Sequence, residues 1–446
     1  MKQENIRDHT ERYLKIFSDL ENNRKNGVFT HFRELKQNAI KNFTGTGFPT
    51  IKNEEWKYTD LSTLHEINFQ PLLKSRDIKK DEGGIQDHFL GVPDSLRVVF
   101  IDGHYQPGLS DTGNHGSELL ITPFSALKPE QYAELGSCLG SQISLTDDPF
   151  VVLNTALFTD GIWIRIPKGK IIDQPIEILY FATNQPQPGL IQPRNLIMVG
   201  ENSQVGIIEN YVGQNDAVYF NNPVTEIILE TNALVEHFKV QSDSTRAVHI
   251  GTIRVLQHKN SNYISHSFSF GGLLVRTNIN TVLADEGVEC TLNGLYVGDG
   301  KQHIDNHTSI DHTRPHCNSH ELYKGILDDN AHGVFNGKIF VRPAAQKTNA
   351  IQSNNCILLT DDATINTKPQ LEIFADDVKC THGATVGQLD EDAYFYMRSR
   401  GLDQQKARNL LIYAFASDVI DRISHEPVRG KISGLFGHKL KRVQLD

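Results

Sequence analysis

From about residue 160 to 390 the chain is a succession of short β-rich runs divided by turn residues, with no convincing amphipathic helix among them. Ile176-Glu177-Ile178-Leu179-Tyr180-Phe181, Glu226-Ile227-Ile228-Leu229-Glu230 and Ile250-Gly251-Thr252-Ile253-Arg254-Val255-Leu256 are examples, rich in the branched and aromatic residues that suit a pleated surface. A turn-then-strand signal recurs at Asn202-Ser203-Gln204-Val205, Asn232-Ala233-Leu234-Val235 and Asn260-Ser261-Asn262-Tyr263, and later at Asp362-Ala363-Thr364-Ile365. The first three begin 30 and 28 residues apart, a period that suits two or three strands per coil of a solenoid. Such a degenerate period favours a β-helix over a sandwich. Stacked coils leave an open edge at each end, and an edge that is not covered becomes a pairing surface.

The flanks read differently. Residues 1–94 form a polar, helical N-terminal region: Leu14, Phe17 and Leu20 recur at helical spacing, and Phe32, Leu35 and Ile40 mark a second helix before the Gly45-Thr46-Gly47 break. Trp56 and Tyr58 stand in a short loop or strand as packing anchors. Residues 95–390 form the β-rich region, with short strands and turns over 95–150, a helix around 129–139, and then the solenoid core. Residues 391–446 form a helical C-terminal domain. A short helix over 392–400 is broken by Gly401, and Asp403 caps a longer helix through Ile423. Leu410, Leu411, Ala414, Phe415, Val419, Ile420 and Ile423 give that helix an apolar stripe. Leu410, Phe415 and Ile420 are expected to hold the unit together, and Arg398, Arg400 and Arg408 to lie on its exposed, partner-binding face.

The residues with most chemistry sit where the repeat ends. Cys380 and His382 are two apart, so on a strand both point to one face. Thiolate and neutral imidazole are good ligands for zinc or iron, but two ligands make half of a four-coordinate site. The rest must come from elsewhere. A second cluster, His303, Asp305, His307, Asp311, His312, His316, Cys317 and His320, reads as a hydrogen-bonded ladder between coils rather than a metal site, because the turn near Pro315 scatters it. The five cysteines, at 138, 290, 317, 356 and 380, are scattered and lack a Cys-x-x-Cys pair. They suit reduced thiols in a cytosol, four of them as small apolar residues, and not a cluster held by this chain alone.

Composition narrows the function further. A net charge of −10 gives no general attraction to nucleic acid or to an anionic membrane. The polar start of the chain lacks an apolar signal core, and no apolar run is long enough to span a bilayer, so a cytoplasmic protein is expected. There is no G-x-x-x-x-G-K-[ST] loop, no H-E-x-x-H and no G-x-S-x-G elbow. Nothing argues for a self-contained enzyme.

Several long motifs occur in a telling order: Asn53-Glu54-Glu55-Trp56-Lys57-Tyr58-Thr59, then HTSIDHTRPHCNSHELYKGIL from residue 307, GVFNGKIFVRPAAQKTNAIQSNNCILL from 333, and DDVKCTHGATVGQLDEDAYFYMRSRGL from 376. Together they resemble the SufB/SufD family of iron–sulfur cluster assembly proteins over about residues 50–425, with Cys-Thr-His-Gly and the lack of Cys-rich motifs favouring the SufD side. The resemblance implies a mainly β fold, a right-handed parallel β-helix core with N-terminal and C-terminal α-helical regions. It implies a non-catalytic subunit that pairs with a SufB-like scaffold and docks a SufC-like ATPase on its C-terminal helices. No cofactor is expected in the isolated chain. Iron or an iron–sulfur cluster would be shared with the SufB-like partner at a site including His382 and Cys380. The alternatives are a homodimeric β-helix metalloprotein and a carbohydrate-active β-helix enzyme, and homodimerisation of the isolated chain through the same edge stays open.

Overall fold

The computed structural model describes residues 2–23, 28–73, 84–91, 95–113, 119–141 and 148–442. Its centre is a parallel β-solenoid, mainly β as the repeat implies, with helices at both ends of the chain. Among the described residues eight coils stack, each giving one strand to each of two sheets. They run from Gly161–Ile166 with Ile176–Ala182, through Leu274–Leu283 with Glu289–Gly298, to Thr364–Ile373 with Lys379–Gly387. Register is kept throughout: Gln204, Leu234, Asn262, Glu289, Asn318, Asn349 and Lys379 form one column. Among the described residues, short third strands, Gly189–Ile191 and Tyr219–Asn221, occur in early coils only.

The recurring asparagines make the corners. Asn202, Asn232 and Asn260 adopt φ of 55°, 57° and 54°, a left-handed conformation that asparagine tolerates better than most residues. Asn232 Nδ2 donates to Asn202 Oδ1 at 2.8 Å, tying successive corners. The next residue is small and buried in each case: Ser203, Ala233 and Ser261. Inside the tube, side chains alternate inward and stack from coil to coil. Phe100, Tyr180 and Tyr211 form an aromatic ladder with centroids 5.1 and 4.9 Å apart. Cys290, Cys317 and Cys356 are buried free thiols, whereas Cys138 is half-buried.

Helices Lys2–Asn23 and Arg33–Thr46 of the N-terminal region pack with helix Pro149–Leu157 of the following region against one part of the solenoid. Asp148 caps the last of these by accepting from Phe150 and Val151 amides. Tyr13, Ile16, Phe17, Leu20, Ala39, Ile40 and Phe43 are buried, while Leu14 is turned partly outward. Lys36 is buried and donates to the Phe158 carbonyl at 2.5 Å, and the fully buried Arg194–Glu226 pair, 2.7 Å apart, lies under helix Pro149–Leu157.

The C-terminal end differs from the sequence expectation in two ways. It has three helices, Glu391–Ser399, Gln404–Ile420 and Glu426–Arg442. The last is masked in sequence by Gly430, Gly434 and Gly437, each a poor helix former. The inward face of Gln404–Ile420 is also rotated. Leu410 is 48% exposed and Ala414 faces outward, whereas Ile412, Ala416, Val419 and Ile420 are buried, with Phe415 between. With Val428, Ile432 and Phe436 these residues cover Phe238, Phe268, Leu295 and Ile326 on the outside of the solenoid. The sheet surface, invisible in a helical wheel, selects the face. Among the described residues no helix is long and apolar enough to cross a membrane.

Candidate functional site

Among the described residues the final strand, Lys379–Gly387, is hydrogen-bonded on one side only, to Asn349–Leu358. Its whole length is exposed apart from the half-buried Cys380. The companion strand Thr364–Ile373 likewise ends its sheet, and Ile373, Phe374 and Val386 leave apolar surface at this end of the tube. The opposite end is closed by antiparallel pairings with His104–Tyr105 and Leu120–Pro123. One end of the solenoid is thus capped by the chain itself, and the other is a strand edge with free backbone groups.

Cys380 and His382 do share a face. Cys380 stacks on Ala350 and packs against the interior apolar cluster. Burial pushes its thiol up from the usual value, opposed by a backbone hydrogen bond at Ala350, so it is no ready thiolate. His382 is exposed, in register over Gln352, which in turn lies over Glu321. Among the described residues no group of three or more His, Cys, Asp or Glu converges on a metal position. A metal bound by these two side chains would need ligands from outside this set.

The three arginines lie apart from that pair, on the C-terminal helices. Arg398 is exposed and donates to the Leu402 carbonyl at 2.9 Å, bracing the Gly401 turn. Arg400 is exposed and donates to the Tyr396 hydroxyl at 3.0 Å. Beside them Phe395 and Tyr396 are 74% and 58% exposed. Arg408 departs from the expected exposed face: it is half-buried and reaches Asp328 of the solenoid at 3.5 Å, so it anchors its helix inward.

The histidine cluster is used otherwise. His303, Asp305 and His307 line one outer face, as alternation requires, and that face receives the segment around Trp56. Thr59 donates to Asp305 Oδ2 at 2.6 Å and lies 2.9 Å from His303 Nε2. Asp305 also holds Arg276 at 2.7 Å and His307 at 2.9 Å, and Arg276 lies over the Trp56 ring. Glu55 bonds Lys338 and approaches His307 at 3.4 Å, and Glu54 bonds Lys368. Burial opposes ionisation of Asp305, yet the His307 and Arg276 charges hold it well below the usual carboxylate range. A hydrogen bond with His307, together with Lys338, brings Glu55 down to about 2 against its burial. Burial pushes His303 down to about 4. Residues 54–59 are therefore a strap laid across four successive coils. His312 points inward, to Ser319 at 3.0 Å, so the sequence cluster is divided between two faces.

The groove beside the strap, lined by Arg254, Asn280, Ser309 and Phe340 among others, has three carboxylates in its wall. Glu55 is bonded to Lys338, Asp311 to Arg342, and Asp148 caps a helix. None of these is a free acid–base pair of the kind a glycosidase needs.

Residues 7–178 match the family model "SufBD protein N-terminal region", and residues 181–415 match "SUF system FeS cluster assembly, SufBD core domain". An iron–sulfur cluster assembly SufBD family protein of Synechocystis is 36% identical over 405 residues, 89% of this chain and 88% of the relative. The iron–sulfur cluster assembly protein SufD of Escherichia coli is 32% identical over 407 residues, covering 91% and 92%. That of Bacillus subtilis is 23% identical over 446 residues, covering 96% and 97%. With both halves of the fold matched and relatives aligned almost end to end, the chain belongs to the SufBD family of iron–sulfur cluster assembly proteins.

Proposed function

We propose that this chain is a SufD-like, non-catalytic subunit of a cytoplasmic iron–sulfur assembly complex. Its last coil pairs with the matching coil of a SufB-like scaffold. The observation that carries this reading is the exposed, one-sided strand Lys379–Gly387, with Cys380 and His382 on it. Free strand N–H and C=O groups are a template for another strand, and the apolar Ile373, Phe374 and Val386 beside them favour burial. Pairing would supply the donors that Cys380 and His382 lack, and an iron–sulfur cluster, the cargo of the complex, would form there. His382 serves as ligand or proton carrier and Cys380 as its neighbour.

The C-terminal helices receive a SufC-like ATPase, with Arg398, Arg400, Phe395 and Tyr396 outward. The chain lacks a phosphate-binding loop of its own, so nucleotide-driven movement reaches the edge from that partner. In the absence of a SufB-like partner, the same edge suits a second copy of this chain in an isologous dimer. The test is co-expression with SufB-like and SufC-like subunits. We expect His382→Ala to leave assembly intact while lowering the cluster yield of the complex, and Cys380→Ala to have the milder effect. Equal cluster yield from wild type and His382→Ala removes His382 from the mechanism.

A further inference from the structure

Register places a polar column inside the tube directly beneath His382: Gln352 one coil down and Glu321 two coils down. Both are buried, Gln352 at 0% and Glu321 at 3% exposure. Gln352 Nε2 donates to Glu321 Oε2 at 2.7 Å. The opposite sheet makes room for this amide with a glycine, since a β-carbon at Gly337 would lie 2.3 Å from Gln352 Nε2. The amide oxygen, Gln352 Oε1, is buried and has no hydrogen-bond partner among the described residues. A buried acceptor left open is costly. The next side chain up the column is an imidazole, a ring with an N–H to give. Adjacent strands lie about 4.8 Å apart, within reach of a glutamine and a histidine side chain.

We infer that Gln352 is a positioning residue for His382: its Oε1 accepts the N–H of one ring nitrogen and leaves the other nitrogen free for the open edge. Glu321 makes the arrangement directional. An ionised carboxylate only accepts, so it takes the NH2 end of the amide and the oxygen end stays available for the ring. Burial raises Glu321 to about 7, so this polarity is complete in mildly alkaline solution. The relation is that of a buried acceptor orienting a metal-binding histidine through its second nitrogen. Its use in cluster assembly rests on the role proposed for His382 above, whereas the hydrogen bond itself does not.

The experiment is 15N NMR of the imidazole nitrogens in the full-length chain, at about pH 8.5, on the alkaline side of the ordinary imidazole range. We expect the wild-type tautomer ratio to be displaced from that of a free, solvated histidine by roughly two- to tenfold, the effect of one ordinary net hydrogen bond. Gln352→Met keeps the volume, removes the acceptor, and should return the ratio to the free value. Should that variant not fold, Glu321→Gln preserves the shape but lets the amide turn over, and should give an intermediate ratio. A wild-type ratio equal to that of free histidine, or one unmoved in the variant that folds, overturns the inference. Cluster yield separates the two readings. If His382→Ala leaves yield unchanged while Gln352→Met still shifts the tautomer, the positioning stands and the proposed role of His382 falls.

Discussion

Gly294 faces Tyr323 in neighbouring coils, and a β-carbon at Gly294 would lie 2.2 Å from that ring. Two residues along the same strands the arrangement is reversed, with Tyr296 over Gly325. Each large ring is thus fitted by a missing side chain in the adjacent coil. We expect Gly294→Ala to destabilise the protein by about 1–3 kcal/mol in urea unfolding, the usual effect of overpacking. Gly383 has nothing within 4 Å of its virtual β-carbon, and Gly383→Ala should change stability by no more than about 0.5 kcal/mol. Equal effects of the two would refute this packing account. Asp305 offers a second test, since it joins the buried Arg276 to Thr59 and His307. Asp305→Ala leaves Arg276 without its carboxylate, and a loss of about 3–5 kcal/mol should follow; a melting curve superimposable on wild type would contradict it. At this scale the sequence was partly legible. The shared face of Cys380 and His382 follows from strand alternation alone. Gln352 and Glu321 were hidden because their meaning depends on register, and coil lengths here vary between neighbours. The inward contact of Arg408 was not legible because Asp328 lies 80 residues away.

At the scale of elements, the strap around Trp56 behaves as a weakly acid-sensitive clasp. Glu55 has a folded-state value of about 2 against an ordinary 4.5, so its contribution is full above about pH 4.5 and is lost as pH falls towards 2. His303, at about 4 against 6.5, stays neutral when docked but takes up a proton when released, so acidification from about 6.5 to 4 also favours release. Asp305, which faces both groups together with Arg276 and His307, is held well below the usual carboxylate range and loses its charge only at still lower pH. We therefore expect amide protection of residues 54–59 to fall between pH 7 and pH 4, relative to the solenoid strands, after correction for intrinsic exchange. Uniform protection across that range would count against the clasp. The strands and the first corners were readable because asparagine turns repeat in three successive coils, whereas Gly287, His316 and Lys347 hold the same corner later on. The C-terminal helices were read less well, since glycines obscured Glu426–Arg442 and the covering face was decided by the sheet beneath.

For the molecule as a whole, each coil leans on its neighbours, yet the C-terminal helices are not an optional appendage. They cover an outer apolar surface that includes Phe238, Val240, Phe268, Leu295, Val297 and Ile326. Removing everything after Asp390 should give a chain that keeps its far-UV β signal but binds a hydrophobic dye and aggregates. A monodisperse, soluble truncation would show that the cover is dispensable. Substituting Arg398 and Arg400 by Glu avoids that exposure, and should weaken ATPase pull-down with an unchanged melting temperature. The β-solenoid and the helical flanks were thus available from period and patterning, while what closes one end and leaves the other open emerged only from the pairing order.

The strap also bears on synthesis. Glu54 grips Lys368, 314 positions later in the chain, and its neighbours grip strands beginning at Leu274 and His303. A ribosome delivers roughly 5–20 residues each second, so the first segment waits tens of seconds before its last receptor emerges. Coils can zip up in order of translation, and the N-terminal helices pack among early-coil residues such as Leu190, Phe220 and Val248, but the strap cannot finish docking until nearly the whole solenoid has left the exit tunnel. Nascent chains stalled before Lys368 should therefore be cut by protease near residue 55 while their early coils resist.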